Sequence, residues 1–234
     1  MTDKKVVKAY AKAAGADRCG IAPVRIYNEL LPRLEARGFV PFTRTNLEMR
    51  INPFLHMKTA KSAIVCLFKY IDGSDSSVAR YARGGDYHPY VKERLRKICD
   101  MLGESNKYRL LVDTGGLCDR YLAYLAGLGF YGKNNLFYAD GLGSRFYIGS
   151  ILTDLEIEPD SPLLKTCLNC NLCIKRCPGG ALGEGYTFDV NKCVSYLTQK
   201  KEALTEEEKK IAGRGGYTLG CDICADVCPL NKLR

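Results

Sequence analysis

The sequence predicts an α+β fold with a small cysteine-rich domain at its C-terminal end. Signals for helices and strands alternate over residues 1–160, and Pro159 and Pro162 mark a boundary near residue 160. Eight of the twelve cysteines lie beyond that boundary, in residues 161–234. A chain of 234 residues is long enough for one medium-sized domain and one small domain.

The elements of the first domain follow one another in a regular order. Amphipathic spacing predicts helices over residues 3–14, 27–37, 89–102 and 117–127. Apolar runs predict strands over residues 18–22, 62–70, 108–112 and 146–155. Pro89 is a favourable first helical residue and Gly103 a favourable stop. This alternation predicts an α/β-like domain, in which ligand sites gather at the ends of strands.

The cysteines of the second domain form two motifs. The first, CLNCNLCIKRCP, matches the CxxCxxCxxxCP pattern of bacterial ferredoxins, whose fourth cysteine binds the other cluster in two-cluster proteins. The second, CDICADVCP, has one cysteine fewer. Cys193 supplies the missing ligand if the helical stretch between it and Cys221 loops out. The spacing therefore predicts a bacterial-type ferredoxin domain with two [4Fe–4S] clusters.

The two clusters divide the eight thiolates equally. We assign one cluster to Cys167, Cys170, Cys173 and Cys228, and the other to Cys177, Cys193, Cys221 and Cys224. Zinc is the alternative, but zinc sites use separate cysteine pairs and match a CxxCxxC run ending in CP poorly. The remaining cysteines sit singly in apolar surroundings, where a buried core thiol is the default; they are Cys19, Cys66, Cys99 and Cys118.

The charge of the chain favours a polyanionic partner. The formal net charge is +9, and nucleic acid is the leading candidate for such a partner. Part of the excess lies on the helix predicted over residues 89–102, at Lys92, Arg94, Arg96 and Lys97. A solvated helix face is the commoner meaning of such a run. Because no 18-residue apolar stretch or signal-peptide pattern is found, we expect a cytoplasmic protein without a membrane segment.

One glycine-rich loop resembles a phosphate-binding motif without matching it. The string GLGFYGKN, residues 127–134, ends in Asn134 where a P-loop has a serine or threonine, and a helix precedes it instead of a strand. A P-loop is therefore excluded. The loop could still hold an anionic group through Lys133, or Gly127 could simply end the preceding helix.

Longer strings in the chain resemble the cobalamin-dependent epoxyqueuosine reductases. The resemblance is carried by LLVDTGGLCDRYLAYLAGLGFYGKNN, GSRFYIGSILTDLEI, ARYARGGDYH, CVSYLT and GCDICADVCPLN. It implies a base-off cobalamin held between an α/β domain and a two-cluster ferredoxin domain, as in the reductive dehalogenases. It also implies reduction of epoxyqueuosine in tRNA to queuosine, with electrons from an external donor such as a flavodoxin or ferredoxin.

Asp113 is the expected catalytic acid, because expulsion of an oxygen leaving group needs a proton at that oxygen. It directly follows the apolar residues of a predicted strand, although it could instead cap the helix that begins near Leu117. With the resemblance, we expect Arg80, Tyr81, Tyr87 and His88 to line the cobalamin pocket. Arg50, Lys133 and Asn134 are expected to meet its phosphate or the substrate, and Ser195 and Tyr196 to lie where the second cluster borders the cofactor.

The sequence also departs from the family's pattern. Residues 112–116 read VDTGG, where the family usually has VDSAP or VDTAP. Only six residues follow Cys228, whereas family members usually continue, and part of the surface that holds tRNA is expected in that region. Two other functions therefore stay open: a cobalamin-dependent reductase of a small substrate, similar to the dehalogenases, and an iron–sulfur electron carrier.

Overall fold

The computed structural model describes residues 2–37, 46–113 and 115–232, and these form two compact units. The first unit contains Met1–Lys69, His88–Gly129 and Tyr147–Leu164; the second contains Tyr70–Tyr87, Phe130–Phe146 and Lys165–Arg234. The last change of unit falls after Leu164, four residues beyond the boundary predicted near residue 160. The membership of residues 70–87 and 130–146 in the second unit was not predicted from the sequence.

Nine α-helices and six strands occur in the described residues. The helices are α1 Lys4–Ala13, α2 Leu31–Arg37, α3 Leu47–Ile51, α4 Tyr87–Leu102, α5 Asp119–Leu125, α6 Leu172–Arg176, α7 Val194–Leu197, α8 Glu206–Gly213 and α9 Ile223–Asp226. The strands are β1 Arg18–Pro23, β2 Ser62–Lys69, β3 Tyr108–Val112, β4 Phe130–Tyr131, β5 Phe137–Tyr138 and β6 Phe146–Thr153. None of these helices has both the length and the apolar character needed to cross a bilayer.

The first unit is built on a four-stranded sheet in the order β1-β2-β6-β3. β1 pairs antiparallel with β2, and β3 pairs antiparallel with β6. The first seven residues of β2 are all buried, as expected for a central strand covered on both faces. Two glycines permit close packing of helices, because a Cβ at Gly149 would meet Val91 of α4 and one at Gly20 would meet the backbone of Ala126.

The second unit has little regular structure. Its only sheet in the described residues is the antiparallel pair β4 and β5, and its four helices have at most eight residues each. A small apolar core joins α7 to α8 through Val194, Tyr196, Leu197 and Ile211. A unit with so small a core commonly depends on metal ligation for its stability.

The long predicted elements agree with the structure, and their ends differ by a few residues. α4 begins at Tyr87, so Pro89 is not its first residue. The helix predicted over 27–37 begins as a 3₁₀ turn, Asn28–Leu30, before α2. Helix α3 and the β4–β5 pair were not predicted, because elements of two to five residues show too little periodicity. Thr114, within the VDTGG string, lies outside the described residues.

Candidate functional site

Four cysteines of the second unit line one pocket. Cys167, Cys170, Cys173 and Cys228, here called the first thiol group, border a space of about 340 Å³ that includes open solvent. The run CLNCNLC bends around it with Asn169 and Asn171 in the left-handed region, at φ of 58° and 57°. Asparagine tolerates this conformation better than most residues. The spacing of the run thus brings its three cysteines to a fourth from the end of the chain.

Lys133 and Asn134 line the same pocket. The Lys133 ammonium donates to Asn171 Oδ1 and lies beside Glu184 Oε2, each at 2.8 Å, and the lysine side chain is only 10% exposed. Asn134 Nδ2 donates to the Tyr138 hydroxyl at 2.7 Å and to the carbonyl of Cys224 at 3.1 Å. Both residues of the glycine-rich loop therefore have partners inside the cysteine-rich unit. Gly127 ends α5 with φ of +67°, as a helix-ending glycine does.

The other four cysteines form the second thiol group: Cys177, Cys193, Cys221 and Cys224. Burial raises the pKa of the Cys221 thiol to about 11, with nearby Cys193 and Cys177 contributing. Burial also raises the pKa of Cys224, and the charges of Cys221, Cys193, Cys177 and, from the first thiol group, Cys173 add to the effect. Cys177 contributes to the raised pKa of Cys193, Cys221 and Cys224 alike. Cys177 thus lies near Cys193 and the CDIC run, although the sequence groups it with Cys173.

Backbone amides point at several of these sulfur atoms. Ala181 N–H donates to Cys177 Sγ at 3.3 Å, and the amides of Ser195 and Tyr196 donate to the Cys193 thiol. Such donors favour the thiolate, the form that binds metal, over the thiol. Ser195 and Tyr196 were predicted as cofactor contacts. Their amides contact a candidate ligand, and the Tyr196 ring lies buried in the small core of the unit.

Residues 77–82 pack against the segment that carries Cys221. Val78 forms a parallel bridge with Leu219, and the Arg80 amide donates to Asp222 Oδ2 at 2.7 Å. A Cβ at Gly220 would lie 2.8 Å from the Tyr81 ring, so glycine is required for this close approach. Arg80 and Tyr81, both predicted cofactor residues, are thereby brought beside the second thiol group. Tyr87 is the first residue of α4 and is half-buried.

The eight thiols form two groups of four. The first thiol group borders a pocket, and amides are directed at the sulfur of both Cys177 and Cys193 in the second. Four thiols in each group match the number of ligands that a [4Fe–4S] cluster takes.

In the first unit, Asp113 occupies a sharp turn at the end of β3. Its φ is 49°, which is unusual for a residue with a side chain, and its side chain is 62% exposed. His88 Nε2 lies 3.9 Å from Asp113 Oδ2. The alternative role as a helix cap is not observed, because α5 begins after Cys118 and no side chain caps it. Asp113 therefore sits at the edge of the sheet with its carboxyl accessible.

Asp119 lies beneath this turn and was missed from the sequence. Burial raises its pKa well above the usual range, the charge of Asp113 adds to the effect, and the Asp113 amide donates to it. Arg50 contacts the same segment, since its guanidinium donates to Cys118 Sγ at 3.1 Å. We call Asp113 and residues 115–119 the acidic turn. It brings together Arg50, His88 and Asp113, three of the predicted site residues.

The four single cysteines lie in the first unit. Cys66 and Cys99 are buried, as predicted, whereas Cys19 and Cys118 are only partly buried. Burial raises the pKa of the Cys118 thiol, although nearby Arg50 opposes the effect. Burial also raises the pKa of Cys99 to about 12. The thiols of Cys99 and Cys118 are therefore poor nucleophiles at neutral pH.

Two family profiles match the chain. The family described as a 4Fe-4S double cluster binding domain matches residues 166–231, which contain both thiol groups. The family described as Epoxyqueuosine reductase QueG, DUF1730 matches residues 50–114, from Arg50 to just past Asp113. The cysteine-rich segment is therefore an iron–sulfur domain of the double-cluster kind, which weighs against the zinc alternative.

Curated proteins named epoxyqueuosine reductase are similar to nearly the whole chain. One from Leadbetterella byssophila is 34% identical over 245 residues, covering 98% of this chain and 80% of the relative. One from Staphylococcus aureus is 34% identical over 248 residues, covering 98% of this chain and 64% of the relative. The chain thus spans 64% to 80% of the length of these two relatives.

Solved epoxyqueuosine reductases share the fold. The Streptococcus thermophilus structure has a TM-score of 0.88 at 31% identity, covering 98% of this chain and 66% of its own. A structure with an epoxyqueuosine-modified tRNA-Tyr stem loop has a TM-score of 0.86 at 32% identity, covering 98% and 65%. A Bacillus subtilis structure, described with a catalytic loop named for an aspartate swung out of the active site, has a TM-score of 0.86 at 31% identity, with the same coverage.

Proposed function

Because the chain belongs to the epoxyqueuosine reductase family, we propose that it reduces epoxyqueuosine in tRNA to queuosine. The observation that carries the proposal is that one chain combines family likeness over 98% of its length with two groups of four thiols and an acidic turn. The reaction breaks both carbon–oxygen bonds of an epoxide and forms a carbon–carbon double bond. Two electrons and two protons are consumed, and the oxygen leaves as water.

The two thiol groups would deliver the electrons. In this proposal the first thiol group binds one [4Fe–4S] cluster and the second thiol group binds the other. Cys177 and Cys228 therefore exchange places between the two cysteine runs, as in two-cluster ferredoxins. The closeness of Cys177 to Cys193, Cys221 and Cys224 supports this crossed ligation.

The proposal includes cobalamin, which when bound supplies a strongly reducing cobalt centre. The protein offers donors for its polar groups. Arg50 Nε is buried, and no acceptor for it occurs among the residues that the structure describes. A buried donor of this kind suits a phosphate or amide oxygen of a ligand. Arg80, Tyr81, Tyr87 and His88 remain proposed contacts of the corrin ring or its nucleotide tail.

Asp113 would donate the proton to the departing oxygen. Its carboxyl is accessible, and its backbone amide is anchored on the buried carboxyl of Asp119. For this role the carboxyl must carry a proton in the reacting complex, where the bound substrate would cover it from solvent. The Bacillus subtilis relative, described as having a catalytic loop named for an aspartate, supports the assignment.

The remaining proposed partners follow from the net charge of the chain and from the electrons that the reaction consumes. A net charge of +9 suits a tRNA substrate, and a relative has been solved with a modified tRNA stem loop. An external one-electron carrier, such as a flavodoxin or ferredoxin, would supply the electrons.

The proposal is tested with anaerobically reconstituted protein that carries both clusters and added cobalamin. A tRNA stem loop containing epoxyqueuosine is incubated with reductant, and its nucleosides are analysed by mass spectrometry. We expect the substrate to lose the mass of one oxygen atom, and the product to co-migrate with queuosine. Omission of cobalamin should abolish conversion.

Loaded protein that binds cobalamin but leaves the tRNA unchanged under every reductant would refute this substrate. Reduction of small epoxides or halogenated compounds by the same preparation would then identify a small-substrate reductase. Loaded protein that reduces neither class but exchanges electrons with a carrier would identify an electron-transfer protein.

A further inference from the structure

One of the eight candidate cluster ligands differs from the others in exposure. Cys170 is exposed, Cys173 is buried, and the other six are partly buried. Electron transfer slows steeply with distance, so a carrier protein gains most by docking where a ligand reaches the surface. The first thiol group is therefore better placed than the second to receive electrons from outside.

Apolar side chains flank the exposed ligand. Leu168 is 53% exposed and lines the pocket of the first thiol group, and Leu172 is 39% exposed at the start of α6. Large apolar side chains on both sides of one exposed residue are typical of the centre of a docking surface. Neither belongs to the small apolar core that joins α7 to α8.

Two cations extend this surface. Lys175 and Arg176 follow Leu172 at three and four residues along α6, so the three side chains share one helical face. Both are exposed, and neither forms an ion pair with any residue that the structure describes. The other nearby cations are neutralised, because Lys133 pairs with Glu184 and Lys165 pairs with Asp140. Lys175 and Arg176 therefore add positive charge that no ion pair neutralises among the residues that the structure describes.

We propose that Leu168, Cys170, Leu172, Lys175 and Arg176 form the docking surface for a small acidic one-electron carrier protein. The proposal rests on the proposed function only in requiring an external source of electrons. A polyanionic RNA would also be attracted to the two cations. The exposed leucines beside a cluster ligand favour a protein, since phosphate backbones offer them no apolar partner.

The step at this surface is a single electron transfer. The reduced carrier loses one electron, and the cluster held by the first thiol group gains it. No bond forms or breaks and no proton has to move. Opposite charge on the two proteins raises the rate of encounter, and the leucines stabilise the encounter complex.

The test measures cluster reduction by stopped-flow absorbance with reduced flavodoxin, an acidic carrier, and cluster-loaded protein without cobalamin or tRNA. We expect the wild-type second-order rate to fall as salt rises. The double variant Lys175→Glu with Arg176→Glu should react at least tenfold more slowly at low salt. A matched variant, Lys201→Glu with Lys210→Glu, changes the charge equally on exposed lysines of the same unit and should stay within twofold of wild type.

Two further measurements isolate docking from cluster damage. Uncharged photoreduced deazariboflavin should reduce all variants at the wild-type rate. The variant Leu172→Ser keeps the charge and should also slow cluster reduction by the carrier. It replaces the double variant as the test if charge reversal lowers the iron content of that variant. The proposal would be overturned if the α6 variants were reduced by flavodoxin at the wild-type rate. It would also be overturned if the Lys201 and Lys210 variant were slowed as much as the α6 double variant.

A third outcome concerns RNA. If the α6 variants keep the wild-type rate with flavodoxin but lose affinity for tRNA, the surface binds RNA and the proposal is wrong. Because neither cobalamin nor tRNA is present in the rate measurement, its result is independent of whether the protein reduces epoxyqueuosine.

Discussion

The cysteine-rich unit and the acidic turn present their functional groups in different ways. The eight thiols come from two short runs and the separate Cys193, and most are partly buried. The acidic turn depends on one aspartate in a left-handed conformation, on an amide held by Asp119 and on a neighbouring histidine 3.9 Å away. Several chain segments hold the thiols in place, whereas a few contacts of single residues hold the acidic turn.

In the proposed function, this difference gives the two regions different tasks. Thiolates in fixed groups suit the storage and transfer of electrons, which need rigid ligands and no proton. An exposed carboxyl on a turn suits proton donation, which needs contact with the reacting atoms. Substitutions in one region should therefore leave the property of the other unchanged.

The largest effect is expected at Asp113. Asp113→Asn keeps the size and much of the hydrogen bonding of the side chain but removes its transferable proton. Turnover should fall by about a hundredfold or more, the range that general acid catalysis supplies. Single-turnover assays with pre-reduced protein would separate this loss from slow electron delivery.

Iron content and cobalamin binding should be unchanged in this variant, and Asp100→Asn, an exposed aspartate on α4, serves as the matched control. Normal turnover of Asp113→Asn would mean that the proton comes from elsewhere, with Tyr87, His88 or an ordered water as the next candidates.

A smaller effect is expected on the exposed face of α4. Lys92, Arg96 and Lys97 all lie on the surface of this helix. Their joint replacement by alanine should weaken tRNA binding and reduce the slope of log affinity against log salt by about 2 to 3, if each contacts a phosphate. Alanine at Lys5, Lys12 and Lys58 removes the same charge from other exposed positions of the unit. Equal effects in both variants would show that the α4 face is only a solvated helix surface.

The smallest expected effect is on the free energy of unfolding. It depends on pH, because it comes from the buried carboxyl of Asp119 in the acidic turn. Because folding raises the pKa of Asp119, the folded state favours the protonated carboxyl. The folded protein therefore loses stability as pH rises from the unfolded value near 3.9 toward the raised folded value.

Asp119→Asn is neutral at every pH and keeps an acceptor for the Asp113 amide. Its unfolding midpoint relative to wild type should rise between pH 4 and pH 7. A constant difference across that range would show that Asp119 is not buried in this way.

The sequence was sufficient to predict the features that depend on local spacing. The long helices and strands of the first unit were predicted within a few residues, because each carries a clear period. The grouping of the cysteines follows from two runs and one separate residue. The position of Asp113 at the end of a strand was predicted from the apolar run before it, and β3 does end at Val112; its catalytic role stays a prediction.

Contacts between distant segments of the chain could not be predicted from the sequence. Residues 70–87 and 130–146 belong to the cysteine-rich unit through tertiary packing, for which local periodicity carries no signal. The contacts of Lys133 and Asn134 with Asn171, Glu184 and Tyr138 could not be predicted either; their expected contact with a ligand phosphate or the substrate stays a prediction. Asp119 was missed because its burial depends on the turn above it.

Crossed ligation by two clusters is the central claim, and the iron content of paired cysteine variants tests it most directly. Wild type and the core variant Cys99→Ala should each hold about eight iron atoms per chain. Cys177→Ala combined with Cys193→Ala removes two ligands of one cluster and should leave about four iron atoms, whereas Cys177→Ala combined with Cys167→Ala should leave almost none. The opposite pattern, with about four iron atoms in the Cys167 pair and almost none in the Cys193 pair, would contradict the crossing.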